Sequence, residues 1–237
     1  MNLLSKLRFE IRRAYRTFKR AGTGGVYWGI RNAAAGMVFD LYHGVDTAAL
    51  WTRYSLPEGY EGAFEYGPAK FSDLKRVLTH LQMIRHEEFV FVDIGSGKGR
   101  ALLMASRLPF KKAIGIELSA ELHEIASRNI RRFRGAQKCK NIVTHCCDAT
   151  VFPLPPDNIV LFLYNPFKAP VMTQFLAHLE ESLLNNPREA YIIYVKPVCH
   201  DLVMNTGWLK LLGSAASLAI YQHNPQRATA GGAISEK

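Results

Sequence analysis

Phe89-Val-Phe-Val-Asp93-Ile-Gly95-Ser-Gly97-Lys-Gly99-Arg-Ala101 decides the fold. A short apolar run, three alternate glycines and a helix-compatible stretch read as strand, glycine-rich turn and helix. That order lets bare backbone approach a bulky ligand and faces it with the amides of a helix N-terminus. Two nucleotide-binding signatures fail here. A phosphate-cradling loop needs Gly-Lys followed by Ser or Thr, but Gly99 follows Lys98. The dinucleotide fingerprint needs glycine where Arg100 stands, so the third glycine falls one residue early.

Outward from this turn, short apolar runs alternate with helical stretches. The runs are Phe89–Ile94, Ala113–Ile116, Ile142–Cys147, Ile159–Tyr164 and Ala190–Val195, with helix-like segments near 98–107, 119–134, 168–185 and 198–205. Nearly continuous apolar strands are buried on both faces, which predicts a doubly wound, mostly parallel α/β sheet. Segments 208–213 and 217–222 read as a closing antiparallel pair, giving seven strands. Upstream, residues 3–18 and 27–42 read as helices, the first amphipathic through Leu3, Leu4, Leu7, Ile11, Ala14, Tyr15 and Phe18. His43–Thr47 reads as a turn, with Asp46 or Thr47 a cap for a helix over Ala48–Tyr54. The Pro- and Gly-bearing stretch Leu56–Gly67 reads as a loop, and Ser72-Asp73 as the start of a helix through Leu74, Val77, Leu78 and Leu81. The predicted organisation is a basic helical extension over 1–64, the α/β domain over 65–223 and a frayed tail over 224–237.

The 237 residues carry 48% hydrophobic and 21% charged side chains, which excludes wholesale disorder. The net charge is +10, but residues 1–40 hold eight basic and two acidic side chains, so the extension supplies +6. The near-neutral body argues against a long nucleic-acid track. The basic amphipathic helix suits an anionic membrane surface or a protein partner docked through residues 3–20, with nucleic acid third. Cys139, Cys146, Cys147 and Cys199 form no CxxC pair, and reduced, mostly packed thiols in a cytoplasmic protein are the expectation. No metal-ligand spacing is present. The sequence shows neither an 18-residue apolar run nor the apolar stretch of a secretory signal, so a cytoplasmic protein, at most peripheral to a membrane, is expected.

The Asp93-x-Gly95-x-Gly97-x-Gly99 pattern resembles motif I of the class I S-adenosylmethionine (SAM)-dependent methyltransferases, whose fold is a seven-strand Rossmann-like sheet. Its companions fall at the family's spacings over roughly residues 65–223. Glu117 closes the second strand, where the resemblance implies an acid that accepts hydrogen bonds from both ribose hydroxyls, as an acceptor-only carboxylate can. Asp148, with Ala149, resembles the residue that meets the adenine amino group. The resemblance implies SAM as cofactor and S-adenosylhomocysteine as product. Asp93, Gly95, Ser96, Gly97, Gly99, Glu117, Leu118, Asp148, Ala149, Asn165 and Tyr66 are then the candidate cofactor residues. The layout is similar to uncharacterised bacterial members of that group. Capping of strand ends by Glu117 and Asp148 is the alternative reading of those acids.

Asn165-Pro166-Phe167 closes the fourth strand, at the sheet edge where ligands of open α/β folds bind. It is similar to the motif of amino-methyltransferases, with one proline instead of two. The resemblance implies that the Asn165 oxygen accepts amino hydrogens while Phe167 stacks on the substrate; a structural turn is the other reading. Tyr164, Lys168 and Lys196 flank that rim, and Tyr66 and Phe71 are candidate walls or core aromatics. Lys98 and Arg100 read as solvated side chains of a first helical turn. The methyl acceptor is unidentified, with a protein side chain or small molecule preferred over nucleic acid; a non-catalytic scaffold docking through its N-terminal helix is the rival.

Overall fold

The computed structural model describes residues 19, 22–24, 27, 29–48, 69–215 and 217–225. The predicted helix over 3–18, the segment 49–68 with Tyr66, and most of the tail lie outside the described residues. Seven strands form one sheet in the order β3-β2-β1-β4-β5-β7-β6. They are β1 (Phe89–Ile94), β2 (Lys112–Glu117), β3 (Ile142–Cys146), β4 (Asn158–Tyr164), β5 (Ala190–Val195), β6 (Lys210–Ala215) and β7 (Leu218–His223). The first five are parallel, whereas β7 runs antiparallel to both β5 and β6. This is the mostly parallel α/β sheet that the apolar runs predict, in the seven-strand Rossmann-like form that the resemblance implies.

Period-two alternation explains why the central strands read as continuous apolar runs. Val90, Val92 and Ile94 of β1 join Ile159, Leu161 and Leu163 of β4 in one core. That core is closed by Val171, Met172, Phe175, Leu176, Leu179 and Leu183 of helix α5 (Ala169–Asn185). Phe89 and Phe91 point the other way, with Val160 and Phe162, against Leu74 and Val77 of α2 (Phe71–His80) and Leu102 of α3 (Arg100–Ala105). Each buried Leu, Phe or Val contributes about 1.5–3 kcal/mol of transfer free energy. Helix α4 (Ala120–Arg132) opens on Ser119, whose hydroxyl accepts the Leu122 amide, and ends on Arg131 and Arg132, the charges its C-terminus favours. A short α6 (His200–Met204) follows β5. Upstream, residues 29–43 form a helix, α1, in agreement with the helix expected over 27–42.

Two expectations are corrected. Strand β3 is an edge strand and only partly covered, so Cys146 is exposed while Cys139 and Cys199 are buried. Lys98 and Arg100 are 2% and 5% exposed, not solvated, because the segment after α1 lies over them. Ser72 and Asp73 stand in the first turn of α2, within a residue of the expected start, and the buried Asp73 accepts a hydrogen bond from Tyr164. After α1, Asp40 accepts the amides of Thr47 and Ala48 at 2.7 and 2.6 Å; the helix expected over Ala48–Tyr54 lies, beyond Ala48, outside the described residues.

Candidate functional site

The glycine turn is held at the carboxyl ends of β1 and β2. Gly95, Gly97 and Gly99 have φ of 74°, 53° and 82°, left-handed values that a side chain makes costly. The amides of Gly95 and Ser96 both donate to the Ile116 carbonyl at 2.9 Å, pinning the turn to the end of β2. A Cβ on Gly95 would stand 3.1 Å from Pro166 Cβ, so the turn also meets the end of β4. The sequence-predicted residues of β1, β2 and β4 thus converge on one edge of the sheet.

Glu117 is buried, and both carboxylate oxygens take backbone amides. Oε2 accepts from Gly97 at 2.7 Å and Oε1 from Ser119 at 2.9 Å. Burial pushes its carboxyl above the ordinary range, while the amides of Ser119, Gly97 and Leu118 pull the other way. The last residue of β2 is thereby locked to the middle of the glycine turn. Asp93, buried on neighbouring β1, is pushed well above its usual range by desolvation, with the Glu117 charge adding to it. Two buried carboxyls this close favour a partner that brings hydroxyl or ammonium donors.

Asp148 lies past the end of β3. Its Oδ1 accepts both the amide and the hydroxyl of Thr150 at 2.8 Å, so it caps its own turn, and Ala149 beside it is buried. Leu118 is half-buried between Glu117 and the Ser119 cap.

Asn165, with φ 48°, carries β4 out of the sheet, and its Oδ1 accepts the Tyr194 hydroxyl at 3.3 Å. The Cys199 amide donates to that same hydroxyl, which leaves the hydroxyl proton for Asn165. The amide oxygen therefore faces Tyr194 and the Nδ2 group is directed elsewhere. Phe167 corrects an expectation: it is 6% exposed and packs its ring 5.5 Å from Phe175 in the core beneath α5. Buried in this way, the ring is not presented to a substrate.

Along the same rim Tyr164 donates to Asp73 Oδ2 at 3.0 Å, and Lys196 Nζ sits 4.7 Å above the Tyr164 ring. Burial, then the Asp73 charge, pushes the Tyr164 phenol up, so it stays protonated and serves as a donor. Lys168 is exposed. Phe71 packs its ring, tilted, 4.9 Å from that of Phe39 and lies under the Arg100 guanidinium at 4.7 Å, placing it behind the turn with α1.

A strap over residues 40–48 bolts the back of the glycine turn. Asn129 of α4 is the bolt: Oδ1 accepts the Asp46 amide at 2.8 Å, and Nδ2 donates to the carbonyls of Asp46 and Lys98 at 2.8 and 2.9 Å. Lys98 Nζ reaches back to Asp46 Oδ1 at 3.0 Å. Arg100 Nε donates to Thr47 Oγ1 at 2.9 Å and Nη1 to the Ala69 carbonyl at 3.1 Å, tying strap, turn and the approach to α2 together. Sequence reasoning missed this group. A signal was available, because Asn129 falls in phase with Leu122, Ile125 and Ala126 on the buried stripe of α4, where an amide needs partners.

Comparison with known proteins places these features in context. Residues 60–143, which include the glycine turn, Glu117 and Asn129, match the family model described as "Histone methylation protein DOT1". No curated protein sequence matches the chain. Among solved structures, the ribosomal protein L11 methylase of Lactobacillus delbrueckii subsp. bulgaricus is similar at TM-score 0.48 and 14% identity, over 70% of this chain and 82% of that one. An RNA methyltransferase from Salinibacter ruber in complex with S-adenosyl-L-homocysteine is similar at TM-score 0.39 and 17% identity, over 66% of this chain and 92% of that one. At these identities neither likeness speaks to activity. Sheet order, antiparallel β7 and the glycine turn leading into α3 identify the chain's fold as the Rossmann-like fold of the class I SAM-dependent methyltransferases.

Proposed function

We propose that the chain is a SAM-dependent methyltransferase whose cofactor lies across the carboxyl ends of β1, β2 and β3. The observation that carries this reading is the lock between Glu117 and the Gly97 amide. It presents an acceptor-only carboxylate and bare left-handed backbone to the same space: the acceptor that the hydroxyl donors of a ribose diol need, and the room an adenosyl group needs. The family match over that stretch supports the reading. When bound, SAM supplies an electrophilic methyl on a sulfonium. The chain's part is then to bind and orient. Glu117 takes the ribose hydroxyls on its remaining lone pairs, Asp93 and the open backbone of the glycine turn meet the amino-acid end, Leu118 and Ala149 flank the adenine, and the second oxygen of Asp148 takes its amino group. S-adenosylhomocysteine is the product.

The acceptor enters from the rim formed by Asn165, Pro166, Tyr164 and Lys196, and a protein side chain or small-molecule nucleophile is the preferred class. The word "histone" in the matching model's description agrees with a protein acceptor. A lysine acceptor must first lose a proton, which from its reference pKa to neutral pH costs roughly 4–5 kcal/mol. A nucleic-acid amino group is disfavoured, because the buried Phe167 is not available to stack on a base. Free cysteines are consistent with a cytoplasmic setting, and no described helix is long and apolar enough to cross a membrane.

Calorimetry with SAM and S-adenosylhomocysteine, followed by labelling of fractionated lysate with tritiated SAM, tests the proposal. Binding should be lost in Glu117→Ala. Asn165→Ala should bind normally and fail to turn over. Undiminished SAM affinity in Glu117→Ala would overturn the cofactor site, and binding without label in any fraction would favour a scaffold.

A further inference from the structure

Helix α1 carries two opposed faces. At 3.6 residues per turn, Gly36, Phe39 and His43 fall on one side. That side packs inward: a Cβ on Gly36 would stand 3.0 Å from Arg100 Nη2, and Phe39 and His43 hold their rings 6.2 and 4.9 Å from Phe133. Ile30, Ala34, Met37, Val38, Leu41 and Tyr42 fall on the other side, within an arc of about 140° in which Arg31 is the one charged residue. They face outward. Ile30 is 65% exposed, Met37 54%, Val38 68%, Leu41 87% and Tyr42 79%. A helix already seated by its inner face has no folding reason for an apolar outer one, and a contiguous exposed apolar stripe marks an interaction surface.

The end of α4 supplies the matching charge. The stretch 128–140 holds Arg128, Arg131, Arg132, Arg134, Lys138 and Lys140 with no acidic residue, and all six are exposed. It abuts the C-terminal end of the stripe: the Arg134 amide donates to the His43 carbonyl at 3.2 Å, and a Cβ on Gly44 would stand 3.5 Å from Arg134 Nε. We propose that the outward face of α1, bordered by the basic end of α4, is a docking surface for an anionic lipid membrane. An apolar stripe that lies flat with cations at its border is the chemistry of an interfacial helix, the aliphatic side chains entering the acyl boundary and the guanidinium groups meeting phosphate. The eight basic side chains among residues 1–40 add charge of the same sign. A nucleic-acid surface would have no use for Ile30, Val38 and Leu41, since bases stack on aromatic rings. A symmetric pair of copies joined through this stripe would bring two basic borders together. The inference does not depend on the proposed methyl transfer.

Flotation of the full chain with vesicles tests it. The chain should rise with phosphatidylcholine vesicles that contain phosphatidylserine, far less with pure phosphatidylcholine, and should be released by high salt. Val38→Asp/Leu41→Asp should weaken binding about tenfold or more, and Arg131→Gln/Arg132→Gln should weaken it only on the anionic vesicles. Five results would each overturn the inference: a wild-type chain that does not float; an aspartate variant that floats as well as the wild type; an aspartate variant that melts more than about 5 °C lower, meaning the chain's own residues already cover the stripe; a dimer in sedimentation that the variant abolishes; or binding of DNA and RNA without binding of vesicles.

Discussion

Replacing Asn129 by alanine isolates the bolt between strap and glycine turn. Its side chain is 3% exposed and makes three hydrogen bonds, to the Asp46 amide, the Asp46 carbonyl and the Lys98 carbonyl. The Asp46 side chain is 63% exposed, so water reaches its backbone and recovers much of that loss. The Lys98 carbonyl sits under a buried residue and is left unpaired. An unsatisfied buried group costs about 1–3 kcal/mol, and losing the two partly recoverable bonds brings the total to about 3 kcal/mol. For a chain of this size that lowers the melting temperature by roughly 6–12 °C. Aspartate should do no better than alanine: it keeps the acceptor for the Asp46 amide but sets a second oxygen against two carbonyls. Differential scanning calorimetry of Asn129→Ala and Asn129→Asp, with and without SAM, reads both the stability and the support given to the turn. Alanine melting within about 2 °C of the wild type, with SAM affinity unchanged, would refute the bolt.

Two further predictions follow from the same edge of the sheet. A Cβ on Gly115 would fall 2.6 Å from Leu102 Cδ1, 2.7 Å from Ser96 Oγ and 3.0 Å from Ser96 Cβ, all in packed surroundings. Gly115→Ala should therefore destabilise by about 1–3 kcal/mol and displace the turn, and chemical denaturation showing no loss would contradict the packing. The Asp93 carboxyl is raised in the folded state, so between the ordinary carboxylate pKa and the raised one the native state keeps a proton the unfolded chain has released. Stability then falls as pH rises through that window, and the penalty is full above it. Asp93→Asn should melt higher than the wild type near neutral pH and show a shallower pH slope in thermal scans. Identical slopes would mean that Asp93 carries no such penalty.

What could be read from the sequence was whatever local chemistry dictates. The apolar β1 and β4 runs, the glycine turn and the terminal antiparallel pair depend on neighbours within a few residues, and each lies within a residue or two of its expected bounds. The position of Glu117 at the end of β2 follows from the same periodicity. What was misread depended on distant partners. Lys98 and Arg100 looked solvated because a helix's first turn is usually wet; they are buried by residues more than fifty positions upstream. Phe167 looked like a substrate platform because its motif is local, but the core under α5 claims the ring. Asn129 shows why: a buried amide is a visible irregularity in one helix, yet its three partners lie in two other segments that only folding brings together. Turn and strand propensities are short-range and survive in one dimension, whereas burial and hydrogen-bond satisfaction are properties of contacts and exist only once the chain has packed.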